Sequence, residues 1–229
     1  MNDRLAGIGL YTLPEAARLL QTEAREIRRW LFGYRYRARS AERAQPPLWR
    51  PQVDLPDVQA IGFRDLMELR FVKAFTSKGL SLRVVRAALE NARELFGGVA
   101  YPFSNRRFLT DGARIYTRAV EEHGSDALID LARRQLAFGN VIRPALYDSV
   151  EFDEAGVARR WYPLPRSRAV VLDPEIAFGQ PVVDSLGVPT AAFADAVASG
   201  ANRAEVARMF EVPVAAVDAA LRFEQRFAH

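Results

Sequence analysis

The chain has 229 residues, 49% of them hydrophobic and 26% charged, the balance of a chain that buries its own core. It has no cysteine and two histidines, His123 and His229; this excludes disulfide scaffolds, thiolate metal centres and thiol chemistry, and leaves no His-rich metal site. The formal net charge of +4 is uneven: residues 1–50 carry ten basic against five acidic side chains, and residues 168–229 carry five against eight, so a basic head and an acidic tail imply two tasks on one chain.

No apolar run reaches the roughly 20 residues that span a bilayer, and the stretch MNDRLAGIGLYTLPEAA, without a long apolar region or cleavage site, is not expected to be a secretory signal. A cytoplasmic location, with no membrane contact, is expected. Lys73 and Lys78 are the only lysines, so nearly all the positive charge is arginine. Arginine suits phosphate forks and guanine edges.

Residues 12–20 open with Thr12 three positions before Glu15, a capping box, and Pro14 falls in the first turn. Leu13, Ala16, Ala17 and Leu20 share one face. After a break at Gln21–Thr22, residues 23–32 form a second short helix with Ile27, Trp30 and Leu31 inward and Arg25, Arg28 and Arg29 outward. Two short helices, a tight turn and arginines on the second describe a helix-turn-helix. Arg28 is the expected phosphate anchor and Arg25 the expected base reader.

Residues 33–53 alternate Tyr and Arg and then carry Pro46, Pro47 and Pro51. They read as a two-stranded ribbon or extended arm, placed where a wing follows a helix-turn-helix. Arg35, Arg37, Arg39 and Arg50 are its candidate DNA contacts. Trp30 is expected in the core, and Tyr36 is divided between core and surface.

Helical periodicity returns over 61–76 through Phe63, Leu66, Leu69 and Phe75. Gly79 ends that helix, Ser81 caps the next, and Gly97–Gly98 stop it. In 98–165, Asp111-Gly112 and Glu154-Ala155-Gly156 both signal hairpins, with a helix over ALIDLARRQLAF between them. His123 beside Gly124 reads as a helix C-terminal residue. The carboxylates Asp111, Asp126, Asp130, Asp148, Glu151, Asp153 and Glu154 are the raw material of a magnesium nuclease, but they occupy turns and helix surfaces and read as solvated charges. GGVAYPFSNRR lacks the Gly-Lys-Ser/Thr of a phosphate loop. No catalytic residue, metal or cofactor is expected, and the protein is not read as an enzyme. Residues 168–229 begin with a strand, VVL, before Asp173-Pro174. Breakers follow at Gly179-Gln180-Pro181 and Gly187-Val188-Pro189-Thr190, then helices over about 190–199, 203–210 and 213–226.

Two family resemblances attach to these residues. YTLPEAARLL, then Ile27-Arg28-Arg29-Trp30, the arm, and Leu69–Leu82 with Gly79-Leu80-Ser81-Leu82 resemble the winged helix-turn-helix of the MerR family over residues 9–97. Glu26 stands where that family usually has Thr. Asp173-Pro174, Gly179-Gln180-Pro181-Val182, Val188-Pro189-Thr190 and the three helices over 168–229 resemble a VapB-like antitoxin domain catalogued as a bacterial domain of unknown function. Here Gly187 replaces that domain's usual turn Arg. The expected fold class is mainly α with small β elements: an N-terminal winged helix-turn-helix (9–97), a mixed α/β connecting element with hairpins (98–165) and a C-terminal three-helix antitoxin-like domain (168–229).

Together the resemblances imply the antitoxin of a type II toxin–antitoxin pair that neutralises a PIN-like ribonuclease toxin and represses its own promoter. The partners implied are double-stranded operator DNA, the cognate PIN-like toxin and a second copy of the chain. The helix over 81–96 is the candidate dimer element. Arg203, Arg208, Arg222 and Arg226 are the candidate toxin-binding residues. Two other readings stand beside this one. A stand-alone MerR-like transcription regulator would sense a small ligand in an apolar pocket near Phe103, Tyr116, Phe138 and Trp161. An RNA-binding or nuclease-associated adaptor would use the Tyr–Arg arm.

Overall fold

The computed structural model describes residues 7–38, 41–55, 58–123 and 146–228. About half of the described residues are helical and the sheets are small, so the fold is mainly α with small β elements.

A two-residue strand β1 (Tyr11–Thr12) pairs with β4 (Ala60–Ile61) and leads into α1 (Leu13–Leu20). The Thr12 hydroxyl accepts from the Glu15 N–H, and the Glu15 carboxylate accepts from the Thr12 N–H at 2.8 Å. This satisfies two N–H groups that a helix start otherwise leaves orphaned. Gln21 ends α1 in the left-handed region, and α2 (Ala24–Phe32) follows with Ile27, Trp30 and Leu31 buried. Next come the antiparallel strands β2 (Tyr34–Ala38) and β3 (Ala41–Gln45).

Helix α3 (Phe63–Thr76) is the centre of the molecule. It is buried on nearly every side, the pattern of a helix enclosed by its neighbours. Around it lie α4 (Leu82–Leu95) and α5 (Phe108–His123). Phe71 and Phe75 meet Phe103, Phe108 and Tyr147 or Tyr116 at ring-centroid distances of 5.1–6.5 Å.

The hairpin expected at Asp111-Gly112 is not formed. Asp111 lies in the first turn of α5, and Gly112 is a buried helical position. Phe108, Ile115, Tyr116, Ala119 and Val120 make one buried face of α5. Their 3.6-residue period, fed by packing against α4, outweighs a local dipeptide signal. The second expected hairpin does form: β5 (Val150–Phe152) pairs with β6 (Ala158–Trp161) across a turn in which Gly156 has positive φ. His123 is the last described residue of α5. The helix expected over ALIDLARRQLAF lies outside the described residues.

Strands β5 and β6 continue into β7 (Val170–Leu172), β8 (Pro181–Val183) and β9 (Val188–Pro189) as one antiparallel meander. The chain ends in α6 (Thr190–Ala198), α7 (Arg203–Met209) and α8 (Val214–Arg226). Val217 and Ala220 of α8 pack with Phe193, Val206 and Val183. Ala219, Phe223 and the following Phe227 join the large core that contains α1 and α3. One buried cluster thus runs from Tyr11 to Phe227.

Three charged side chains of α3 are buried. Asp65 accepts from Trp49 Nε1 (2.8 Å), the Gln52 N–H (2.8 Å) and the Gly62 N–H (3.0 Å). Glu68 accepts from the N–H groups of Phe103 (2.9 Å) and Ser104 (2.8 Å). Arg70 donates to the Leu146 carbonyl and Ser149 hydroxyl and lies 4.4 Å from the Trp161 ring centroid. Burial pushes the Glu68 carboxyl up to about 7, against the two backbone donors. The folded state therefore binds this proton more tightly than the unfolded chain, and stability falls as pH rises from the unfolded value of 4.5 through 7. Urea titrations between pH 4.5 and 7.5 should show wild type losing about 3 kcal/mol more than Glu68→Gln across that window. Parallel curves for the two proteins would refute the assignment.

Candidate nucleic-acid interface

The basic surface begins on α2. Its inner residues fix the outer ones: with Ile27, Trp30 and Leu31 turned into the core, Arg25, Arg28 and Arg29 are exposed. Arg25 is held by Glu23, Nε to Oε2 at 2.5 Å and Nη2 to Oε1 at 3.0 Å. Arg28 has no ion pair among the described residues. Arg29 stacks over Tyr34 at 4.3 Å from guanidinium carbon to ring centroid, a cation–π contact that ties α2 to the hairpin.

The chain passes from α2 to β2 through Gly33, at φ +72°. A Cβ there would lie 2.5 Å from the Gln45 carbonyl oxygen, so both conformation and space require glycine. In the hairpin Tyr36 faces Arg43 and Arg37 faces Glu42 across the strands. Tyr34 and Tyr36 pack at 5.7 Å, while Arg35 and Arg37 project from the other face, as strand alternation requires. Arg35 lies 3.9 Å from Glu42, both well exposed, a weak pair. Tyr36 is on the surface and Trp30 in the core. Arg39 lies outside the described residues.

Arg50 is not on the hairpin. It sits on the returning segment, exposed and 3.0 Å from Asp54, at a cleft of about 350 Å³ lined also by Phe32, Val53 and Val58. That segment is clamped. Arg86 of α4 donates to the carbonyls of Pro46 and Pro47 at 2.8 Å each, the Leu48 N–H donates to the Trp30 carbonyl at 2.8 Å, and Trp49 is bound to Asp65. The structure therefore brings Arg25, Arg28, Arg29, Arg35 and Arg37 onto two consecutive elements with a buttressed base. Sequence reasoning passed over Arg43, an exposed cation on the same hairpin, over Arg86, whose partners lie 39 and 40 residues away, and over Asp65, whose partners lie 3, 13 and 16 residues away.

The C-terminal arginines are dispersed. Arg203 pairs with Asp218 at 3.2 Å. Arg208 is exposed on the same helix five residues on, which turns it to another side. Arg222 and Arg226 are exposed one turn apart on α8, and the Arg226 carbonyl accepts from Gln21 Nε2 at 3.5 Å. No ion pair of Arg208, Arg222 or Arg226 is present among the described residues. Also among the described residues, no group of three or more His, Cys, Asp or Glu could hold a metal, and no helix is long and apolar enough to cross a membrane.

Of the residues expected to line a ligand pocket, Phe103 and Tyr116 are packed into the aromatic cluster and Trp161 is covered by Arg70. Phe138 lies outside the described residues. The apolar face of α4 is covered by α5, and Leu95, near its end, is exposed.

Residues 170–223 match the family described as "Protein of unknown function (DUF433)". Over 210 residues the chain is 26% identical to "Putative antitoxin VapB45" of Mycobacterium tuberculosis, with 87% of each chain covered. The fold resembles the crystal structure of Rv2018 from Mycobacterium tuberculosis, with a TM-score of 0.73 and 24% identity over 94% of this chain and 99% of that one.

Proposed function

We propose that this protein is the antitoxin of a type II toxin–antitoxin pair: its N-terminal part binds operator DNA as a winged helix-turn-helix, and its C-terminal part engages a ribonuclease toxin. The likeness to VapB45 over nearly the whole chain carries the reading. It is supported by the exposed arginines of α2 and β2 on a hairpin fixed at its base. In this reading α2 is the recognition helix. Arg25 reads base edges in the major groove, Arg28 anchors a phosphate, and Arg29, Arg35, Arg37, Arg39 and Arg50 contact the backbone or the minor groove.

One short helix reads too few base pairs for specificity, so the operator complex is a homodimer on two half-sites. The functional division is 9–97 for DNA, 98–165 for the connection and 168–229 for the toxin, although the core is shared across it. Arg222 and Arg226 are the C-terminal arginines best placed to reach a partner together.

The test is co-expression with the product of the adjacent gene, which this reading expects to be a PIN-like ribonuclease. Relief of growth arrest, recovery of a stable complex and protection of the upstream promoter duplex are expected. A toxic neighbour that the chain neither binds nor neutralises would overturn the proposal.

A further inference from the structure

The hairpin of β2 and β3 has two unlike faces. Residues paired across antiparallel strands share a face. Tyr34 with Gln45 and Tyr36 with Arg43 therefore form one, and Arg35 with Ala44 and Arg37 with Glu42 form the other. The first face is continuous with α2. Arg29 lies over the Tyr34 ring at 4.3 Å, the Tyr34 and Tyr36 rings are 5.7 Å apart, and Arg43 stands directly across from Tyr36. A line of side chains thus runs from Arg29 on α2 through Tyr34 and Tyr36 to Arg43 on β3.

The two faces also differ in charge. Arg35 and Arg37 share theirs with Glu42, which lies 3.9 Å from Arg35. The tyrosine face, taken with Arg29, carries two guanidinium groups and no carboxylate among its described residues. Arg43 and Tyr36 are exposed, and Arg43 makes no ion pair among the described residues. The base of this surface is fixed: Gly33 before β2 leaves no room for a Cβ, and Arg86 clamps Pro46 and Pro47 just after β3. A surface held in place in advance loses little freedom on binding.

We propose that the tyrosine face of the hairpin is a phosphate-binding surface for duplex DNA, with Arg43 as its principal contact and the Tyr36 hydroxyl beside it as a second donor. The inference rests on the winged helix-turn-helix reading and adds two contacts to it. With α2 in the major groove, the face turned toward α2 meets the sugar–phosphate strand between that groove and the hairpin. Arg29 and Arg43 then grip that strand at two points. An arginine stacked on an aromatic ring keeps its N–H edge free for a phosphate, so the Tyr34 contact orients Arg29 without consuming it. Arg35 and Arg37, on the opposite face, are left with the far side of the groove. The other use of tyrosines beside arginines is to stack unpaired bases. Here Arg29 already covers half-buried Tyr34, and only Tyr36 offers an open ring.

The test measures affinity and its salt dependence on the full-length chain, by fluorescence anisotropy with the promoter duplex and an unrelated duplex of equal length. Arg43→Ala should weaken binding to both about tenfold and reduce the slope of log affinity against log salt by about 0.9. Arg43→Lys should keep that slope, because the charge remains. Tyr36→Phe keeps the ring and should weaken both complexes about threefold with the slope unchanged. Arg35→Ala and Arg37→Ala should each cost less than Arg43→Ala. All these side chains are exposed, so Tm should stay within about 2 °C of wild type. Unchanged affinity and slope for Arg43→Ala, with wild type bound, overturns this inference and leaves α2 as the recognition helix. A greater loss from Arg35→Ala or Arg37→Ala turns the opposite face to the DNA and overturns it as well. So does tighter binding of wild type to a single-stranded RNA of the same length than to the duplex. A wild type that binds no duplex overturns the winged helix-turn-helix reading together with it.

Discussion

Replacing Arg25 and Arg28 together by alanine is expected to lower affinity for the promoter duplex at least about 30-fold, from roughly 1–3 kcal/mol for the Arg25 base contact and a comparable loss at the Arg28 phosphate contact, with the unfolding midpoint unchanged. Both side chains are exposed on α2, and the buried face beneath them does not involve them, so the loss falls on recognition and not on folding. The two arginines should not contribute equally. Arg25 is engaged by Glu23 through two nitrogen–oxygen contacts and must leave that pair to reach a base. Arg28 has no such competitor among the described residues.

Arg28→Ala alone should therefore cost more than Arg25→Ala alone. If Arg28 neutralises a phosphate, its loss should also reduce the slope of log affinity against log salt by about 0.9. Glu23→Ala frees Arg25 and should tighten binding to promoter and unrelated duplexes alike. Fluorescence anisotropy with the two duplexes at several salt concentrations measures all of these. Promoter affinity within threefold of wild type for the double variant would remove α2 as the recognition helix.

The parts of this surface that were legible in the sequence are local ones. The Thr12–Glu15 box, the Ile27–Trp30–Leu31 stripe and the Tyr–Arg alternation each fix a conformation within a few residues, and each is present. The same holds for the turn at Glu154-Ala155-Gly156. Asp111-Gly112 misled because a dipeptide reports only turn preference, whereas the face running from Phe108 to Val120 is decided by what α4 offers it.

The buried charges were not legible for a related reason. Glu68 meets its donors 35 and 36 residues away, and Arg70 meets Ser149 79 residues away. Within α3 nothing in the neighbouring residues marks them as buried. In the turn before β8, Ala177, Phe178 and Gly179 all have positive φ; this turn depends on Tyr11, separated by 168 residues from the carbonyl it binds. No residue between Ile176 and Gln180 other than Gly179 favours positive φ. Where a distant contact holds the backbone against its local preference, local preference gives no warning.

Asp65 is the most consequential of these hidden residues. Its two carboxylate oxygens take three N–H donors, Oδ1 from the Trp49 indole and Oδ2 from the backbone of Gln52 and Gly62. It thereby joins the segment that returns from the hairpin to the start of α3. Burial raises its pKa above the ordinary carboxylate value, opposed by these hydrogen bonds. Only an acceptor on both sides suits the site. Asp65→Asn supplies one acceptor and one NH2 group, so either the indole donor or the two backbone donors must face another donor. The expected loss is about 2–4 kcal/mol, read as a drop in Tm of roughly 5–15 °C, together with weaker promoter binding because the base of the hairpin is loosened.

Trp49→Phe removes the indole donor and should cost about 1–2 kcal/mol. The pair of changes separates geometry from bulk. With phenylalanine at 49, the amide nitrogen introduced by Asp65→Asn can turn toward the ring while the amide oxygen keeps both backbone donors, so the double variant should be more stable than the sum of the two single losses predicts. The interaction of contacting residues measured in such a cycle is typically about 0.5–3 kcal/mol. Strictly additive losses would show that Asp65 contributes its volume and not its acceptors.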